Sequence, residues 1–182
     1  VTLQLSGMLS GSAAKIHSTM RAAADTAPVQ AFILGPTDAT RAAALAVIAT
    51  AGQQKQTPVT EIRGVHGQLL LSAGDLARWT DPAIDSTLVR AALQDRTGVI
   101  GRFRAVGDTV LFAVAAPVEI RGRSRAVLIE WQRITGERSA QEQLSGLIGP
   151  GARFFLGNPG TAVWTDLVEV VPAPPIRVDT AK

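Results

Sequence analysis

The sequence predicts an α/β chain of the α+β kind: one antiparallel sheet with helices laid on it, the first of them long. Three observations lead there. Residues 98–134 read as three consecutive strands, GRFRAV, TVLFAVAAPVEI and RAVLIEWQRI, separated by two tight reversals. A shorter hairpin, TEIRGV–HG–QLLLSAG, precedes them, and a helical stretch joins the two groups. Upstream, residues 3–24 hold no proline and place Leu5, Met8, Leu9, Ile16 and Met20 on one broad helical stripe.

Pro28 ends this first helix, and the short apolar run AFIL follows it. Gly35-Pro36-Thr37-Asp38 is a break that carries a helix-capping signal. Residues 40–51 then make an Ala-rich helix stopped by Gly52, and its near-total apolarity predicts burial between other elements. QQKQTP is a solvated linker into the first hairpin. Residues 76–95 are helical in two pieces divided at Asp81-Pro82, where proline suits the first turn of a new helix. In the three-stranded meander, Gly107-Asp108 and Arg121-Gly122-Arg123-Ser124 supply the reversals. Val, Ile, Leu and Phe fill the runs between, as covered strands require. Residues 139–148 form another short helix, opened by the capping-box spacing Ser139-Ala-Gln-Glu142. Gly149-Pro150-Gly151 ends it, and RFFLGN–PG–TAVWTDL makes a second hairpin. Its Gly157 and Gly160 match Gly64 and Gly67 of the first. Two related units, or turn chemistry common to any two hairpins, would each give that match.

Composition narrows the function. A chain of 182 residues buries roughly 70% of its unfolded surface and needs no staple. It holds no cysteine, which excludes thiol catalysis, thiolate metal sites and disulfides. His17 and His66 are its only imidazoles, so neither a metal nor a cofactor is expected. The net charge is +3, and the arginines are scattered rather than gathered in a stripe, so nucleic acid is not an expected partner. No Ser-His-Asp or paired-carboxylate arrangement emerges, and no catalytic residue is assigned. No apolar run approaches the ~20 residues of a membrane span. The sequence nevertheless begins inside a helical pattern without an initiator Met and ends within a linker that opens at Pro172-Ala-Pro-Pro, as a piece lying between two membrane spans would.

A long helix, further helices, two strands, a helix and a three-stranded meander follow one another in the order of the PAS-like fold. With VLFAVAAPVEIRGRSRAVLIEW as its most characteristic stretch, the chain resembles a Cache sensor domain and, given the second hairpin, the double Cache type. The resemblance implies a sheet ordered 2-1-5-4-3 from runs at residues 60–65, 68–72, 101–106, 109–120 and 125–134. It implies N-terminal helices over residues 1–57 and a sensor core over 58–136. Residues 137–182 would be a partial second PAS-like unit or a membrane-proximal linker. It also implies a small-molecule ligand, such as a carboxylate, held outside the cytoplasm by the periplasmic domain of an inner-membrane signal transducer. A histidine kinase is the expected output, with no catalysis in the domain itself. A homodimer through the N-terminal helix and membrane anchoring of the full-length protein complete that expectation. A structural dimerisation module with a filled pocket and a small enzyme subdomain are the rival readings.

The expected ligand site comprises Arg78, Trp79, Phe103, Phe112, Glu130 and Trp131. Amino-acid-binding double Cache domains carry Arg, Trp and Tyr after the second strand, a Tyr on the third and an Asp ending the fifth. Here Arg78-Trp79 falls in the first region, Phe103 or Arg102 near the second, and Glu130 where the Asp belongs. The chain departs from the motif in having no tyrosine, adjacent Arg and Trp, and Glu for Asp. A guanidinium beside an indole holds a carboxylate and covers an apolar part; it also describes a surface Arg lying on a half-buried Trp. Glu130, between Ile129 and Trp131, must meet either an Arg or a ligand amine if buried. Arg102 and Arg104 fit an anion contact or the solvent face of an edge strand. Arg121, Arg123 and Arg125 crowd a hairpin tip that reads first as a solvated turn and second as a phosphate or lipid contact.

Overall fold

The computed structural model describes residues 15–51, 59–74, 82–95, 98–107, 109–134, 142, 146, 149, 155–157 and 163–172. Contacts divide the chain into two compact units, residues 2–101 with 112–133 and residues 102–111 with 134–182.

In the first unit, helix α1 (15–24) turns Ile16, Met20, Ala23 and Ala24 onto the core and leaves Lys15, Ser18, Arg21 and Ala22 exposed. Pro28 does not mark a lasting stop. The helix breaks at residues 25–26, and α2 (Ala27–Leu34) starts with Pro28 in its first turn, where the missing N–H would be unpaired anyway. The run AFIL is therefore helical, with Val29 and Phe32 of α2 buried. Helix α3 (Asp38–Ala51) opens on a reciprocal cap: Thr40 N–H donates to Thr37 Oγ1 at 3.2 Å, and Thr37 N–H donates to Thr40 Oγ1 at 2.8 Å. Threonine here takes the part that glutamate plays in a capping box. The expected burial of this helix between other elements is not found. It buries Ala44 and Ile48, while Leu45 is 38% exposed. Its apolarity comes from alanines, which cost little when exposed and leave one face for packing. Arg41 stacks over the Phe32 ring, 5.6 Å from its centre, and ties α3 to α2.

One antiparallel sheet contains β1 (Val59–Gly64), β2 (Leu69–Gly74), β3 (Val99–Ile100), β4 (Arg104–Val106), β5 (Thr109–Ile120) and β6 (Arg123–Ile134). Its order is β2-β1-β6-β5-β3, with β4 also paired to β5, which is the order expected from the sequence. The first hairpin does lie beside the last strand of the meander: Thr60 pairs with Glu130 and Ile62 with Leu128. The expected third strand arrives in two pieces. Between them the Gly101 N–H donates to the Ala113 carbonyl at 2.7 Å, and Leu88 of α4 (Pro82–Gln94) packs where a side chain at 101 would begin. Just before β3, Gly98 has φ +102, and the His17 imidazole of α1 sits directly against its α-carbon. Both the backbone angle and the close approach restrict that position to glycine.

All six residues of β1 are buried, because the strand has a neighbour on each side. Strand alternation places Thr60, Ile62, Ala126, Leu128 and Glu130 toward one face. Ile62, Ala126 and Leu128 there join the core formed with Met20, Phe32, Ala44 and Ile48 of α1–α3. Glu61, Arg63, Val127, Ile129 and Trp131 project to the other face.

In the second unit, β4 pairs with the start of β5, Arg104 opposite Leu111. A separate three-stranded sheet joins β7 (Leu156–Gly157), β8 (Trp164–Thr165) and β9 (Val170–Val171). The β7–β8 pairing is the expected second hairpin, and the Trp164 indole covers the α-carbon of Gly157. Strand β9 comes from a stretch that carries no strand signal beyond VEVV. The Asp166 carboxylate turns the chain into it by accepting from Val168 N–H and Glu169 N–H at 2.9 and 3.0 Å.

Candidate functional site

The sheet holds two polar clusters, back to back, and β6 supplies a residue to each. On the face that α1–α3 cover, Glu130 is 4% exposed. Thr60 stands opposite it on β1, and the Gln132 side-chain amide, two residues along the same strand, donates to its Oε1. Its Oε2 is buried and has no hydrogen-bond partner among the described residues. Burial, only partly offset by the Gln132 hydrogen bond, raises the carboxyl from its ordinary 4.5 to about 7. A carboxyl so placed is short of one donor.

On the opposite face, Glu61 is fully buried and fully used. The Trp131 indole Nε1 donates to its Oε1 at 2.9 Å, and the Arg63 guanidinium donates to its Oε2 at 3.0 Å. Arg63 also donates to the Gly67 carbonyl at 2.9 Å, which pins the β1–β2 turn. This is a closed charge pair inside the sheet, with an indole as its third member.

The structure therefore separates residues that the sequence grouped. Glu130 and Trp131 are consecutive on a strand and face opposite ways. Phe112 is half-buried on β5, and Phe103 is half-buried in the second unit, between β3 and β4. Arg78 and Trp79 lie outside the described residues. They follow β2, whose last residue Gly74 pairs with Val59, itself paired with Trp131. Arg104 is half-buried on β4, and Arg102 is exposed. Sequence reasoning missed Glu61 and Arg63. TEIRG alternates in the manner of a half-solvated strand, and only the pairing with β6 puts both charges inside. Among the described residues, no group of His, Asp and Glu is arranged to hold a metal ion. No helix among them is long and apolar enough to cross a membrane.

The overall fold is shared with solved sensor domains. The chain is similar to the ligand-binding domain of the Pseudomonas fluorescens chemoreceptor CtaA, solved with L-valine: TM-score 0.53, 16% identity, 86% of this chain and 68% of that one. The fold is Cache-like. The same fold is seen in the ligand-binding domain of the Campylobacter jejuni chemoreceptor Tlp3, solved with 4-methylisoleucine (TM-score 0.51, 12% identity, 76% of this chain and 56% of that one). It also appears in a domain of a sensory box/GGDEF family protein from Vibrio parahaemolyticus (TM-score 0.51, 10% identity, 88% and 71%). The Cache-like chain thus spans between 56% and 71% of the length of these three. No family model and no curated protein matches its sequence.

Proposed function

We infer that this chain is the extracytoplasmic sensor domain of a bacterial membrane signal transducer and binds a small molecule bearing a cationic or donor group. The observation that carries the reading is the Glu130 Oε2, without a partner among the described residues and buried in a fold shared with ligand-binding domains. An ammonium group would supply the missing donor and draw the carboxyl back to its ionised form. Arg78 and Trp79 would hold a carboxylate and cover the ligand's carbon skeleton, with Phe112 as a further apolar wall. CtaA and Tlp3, solved with valine and a methylated isoleucine, make branched aliphatic amino acids the first ligands to try. A ligand shifts the conformational balance only by its differential affinity for two states. The α1 helix, packed over the Glu130 face, is the natural element to carry that shift toward a membrane helix. A histidine kinase is the proposed output, and the domain itself is proposed to have no catalytic activity.

One observation favours the rival structural module. On the Trp131 face, both Glu61 oxygens are already satisfied within the fold. The two readings part in a thermal-shift screen of amino acids and related amines on the wild-type chain, followed by titration of any hit against Glu130→Gln. Loss of one charge-assisted contact should weaken binding about tenfold or more. No stabilising compound, or a hit bound equally by a folded Glu130→Gln, would leave the structural module standing.

A further inference from the structure

We propose that the β5–β6 hairpin tip is a second binding site, one that takes a phosphate group carrying a short apolar portion. Arg121, Arg123 and Arg125, with Ile120 and Leu34, line an open groove of about 310 Å³. That volume lies at the lower end of the ~300–1,000 Å³ of small-molecule sites. The argument has three parts.

The first is charge. Three guanidiniums fall within five residues, and none of them has an ion-pair or hydrogen-bond partner among the described residues. Like charges this close repel one another unless an anion sits between them, and phosphate oxygens match the planar guanidinium fork.

The second is conformation. The turn is Arg121-Gly122, with φ of +53 and +73. Asn, Asp or Gly is usual at the first of these positions, where a branched or long side chain is disfavoured. An arginine is held there against local preference, in the position that aims a third cation at the groove.

The third is the apolar wall. Ile120 is 6% exposed and forms the floor, while Leu34, at the end of α2, is 63% exposed at the side. The wall is anchored: one turn before Leu34, the Gln30 side-chain amide donates to the Glu119 carbonyl at 3.4 Å, next to Ile120. An anion alone would not need Leu34 and Ile120. A phosphate ester with carbon attached would use both surfaces. Soluble phosphomonoesters and the headgroups of anionic phospholipids share this chemistry.

The experiment uses the whole chain with two probes, glycerol 3-phosphate in solution and phosphatidylcholine vesicles with or without phosphatidylglycerol. Saturable binding of glycerol 3-phosphate assigns the site to soluble phosphoesters; binding to the phosphatidylglycerol vesicles alone assigns it to lipid headgroups. In either arm the double variant Arg123→Gln/Arg125→Gln should lose about tenfold or more in affinity. Arg121→Gly should bind more weakly and melt at a higher temperature than wild type, because the turn strain goes with the charge. Binding to neither probe overturns the proposal, and so does binding that sulfate competes away equally in wild type and both variants. Glu130→Gln should leave both arms unchanged, so this site and the proposed amine site stand or fall separately.

Discussion

At the scale of single residues, Glu130 links fold to pH. Its pKa in the native state is raised, to about 7 from 4.5, so the native state keeps the proton longer than the unfolded chain does. The stability that goes with the protonated form is complete below the unfolded value and is lost as pH rises through the folded one. The window is therefore about 4.5 to 7, and the loss across it is about 3 kcal/mol. Glu130→Gln, which cannot ionise, should match wild type within about 1 kcal/mol near pH 4 and be clearly more stable near pH 8. Urea titrations at a series of pH values measure this. Parallel curves for the two proteins would show that Glu130 meets a cation in solution that offsets its burial.

At the scale of elements, the pairing of β1 with β6 is held by the Trp131–Glu61 hydrogen bond as well as by ladder bonds, and Arg63 holds that carboxylate in place. Arg63→Met should leave the Glu61 carboxylate buried with only the indole as donor and cost about 3–5 kcal/mol. Adding Glu61→Gln should recover most of that, since a neutral amide can still accept from Trp131. Denaturant midpoints of the two variants make the comparison, and a double variant no better than Arg63→Met would show that packing, not the stranded charge, carries the cost. The same elements show what could be read in advance. The meander was legible because Arg121-Gly122 and Gly107 punctuate long β-branched runs. Glu130 was legible because a lone carboxylate amid Ile129 and Trp131 conflicts with its surroundings. Glu61 and Arg63 were not, because alternating charges on a short strand suit a solvated face until β6 is known to cover one edge. Helix α2 was hidden by Pro28, which ends a helix as readily as it begins one. The split of the third strand depends on Leu88 approaching Gly101 from a helix twelve or more positions earlier, a contact with no local trace.

At the scale of the whole molecule, the expected homodimer turns on what the N-terminal helix presents outward. Between residues 15 and 24, Ile16, Met20, Ala23 and Ala24 pack on the core, and Lys15, Ser18, Arg21 and the small Ala22 face out. A dimer joined through this stretch would meet through polar and charged side chains, which bind weakly and yield to salt. Sedimentation velocity should then find a monomer at low concentration and a dimer that dissociates as salt is added. A dimer indifferent to salt would place the contact elsewhere on the chain.

The pairing of β1 with β6 also sets when this protein can become itself. The partners Val59–Gly64 and Ala126–Trp131 lie roughly 60–70 positions apart, so the chain must close a long loop before the middle of its sheet exists. Until β6 docks, Glu61 and Arg63 are better served by water than by β1's own surroundings, and the β1–β2 hairpin has no reason to dehydrate alone. During synthesis, the first half of the chain therefore waits for Trp131 to leave the ribosome. Assembly is postponed to a single late event, and a chain halted before residue 131 would be an unfinished sheet with one edge of β1 bare.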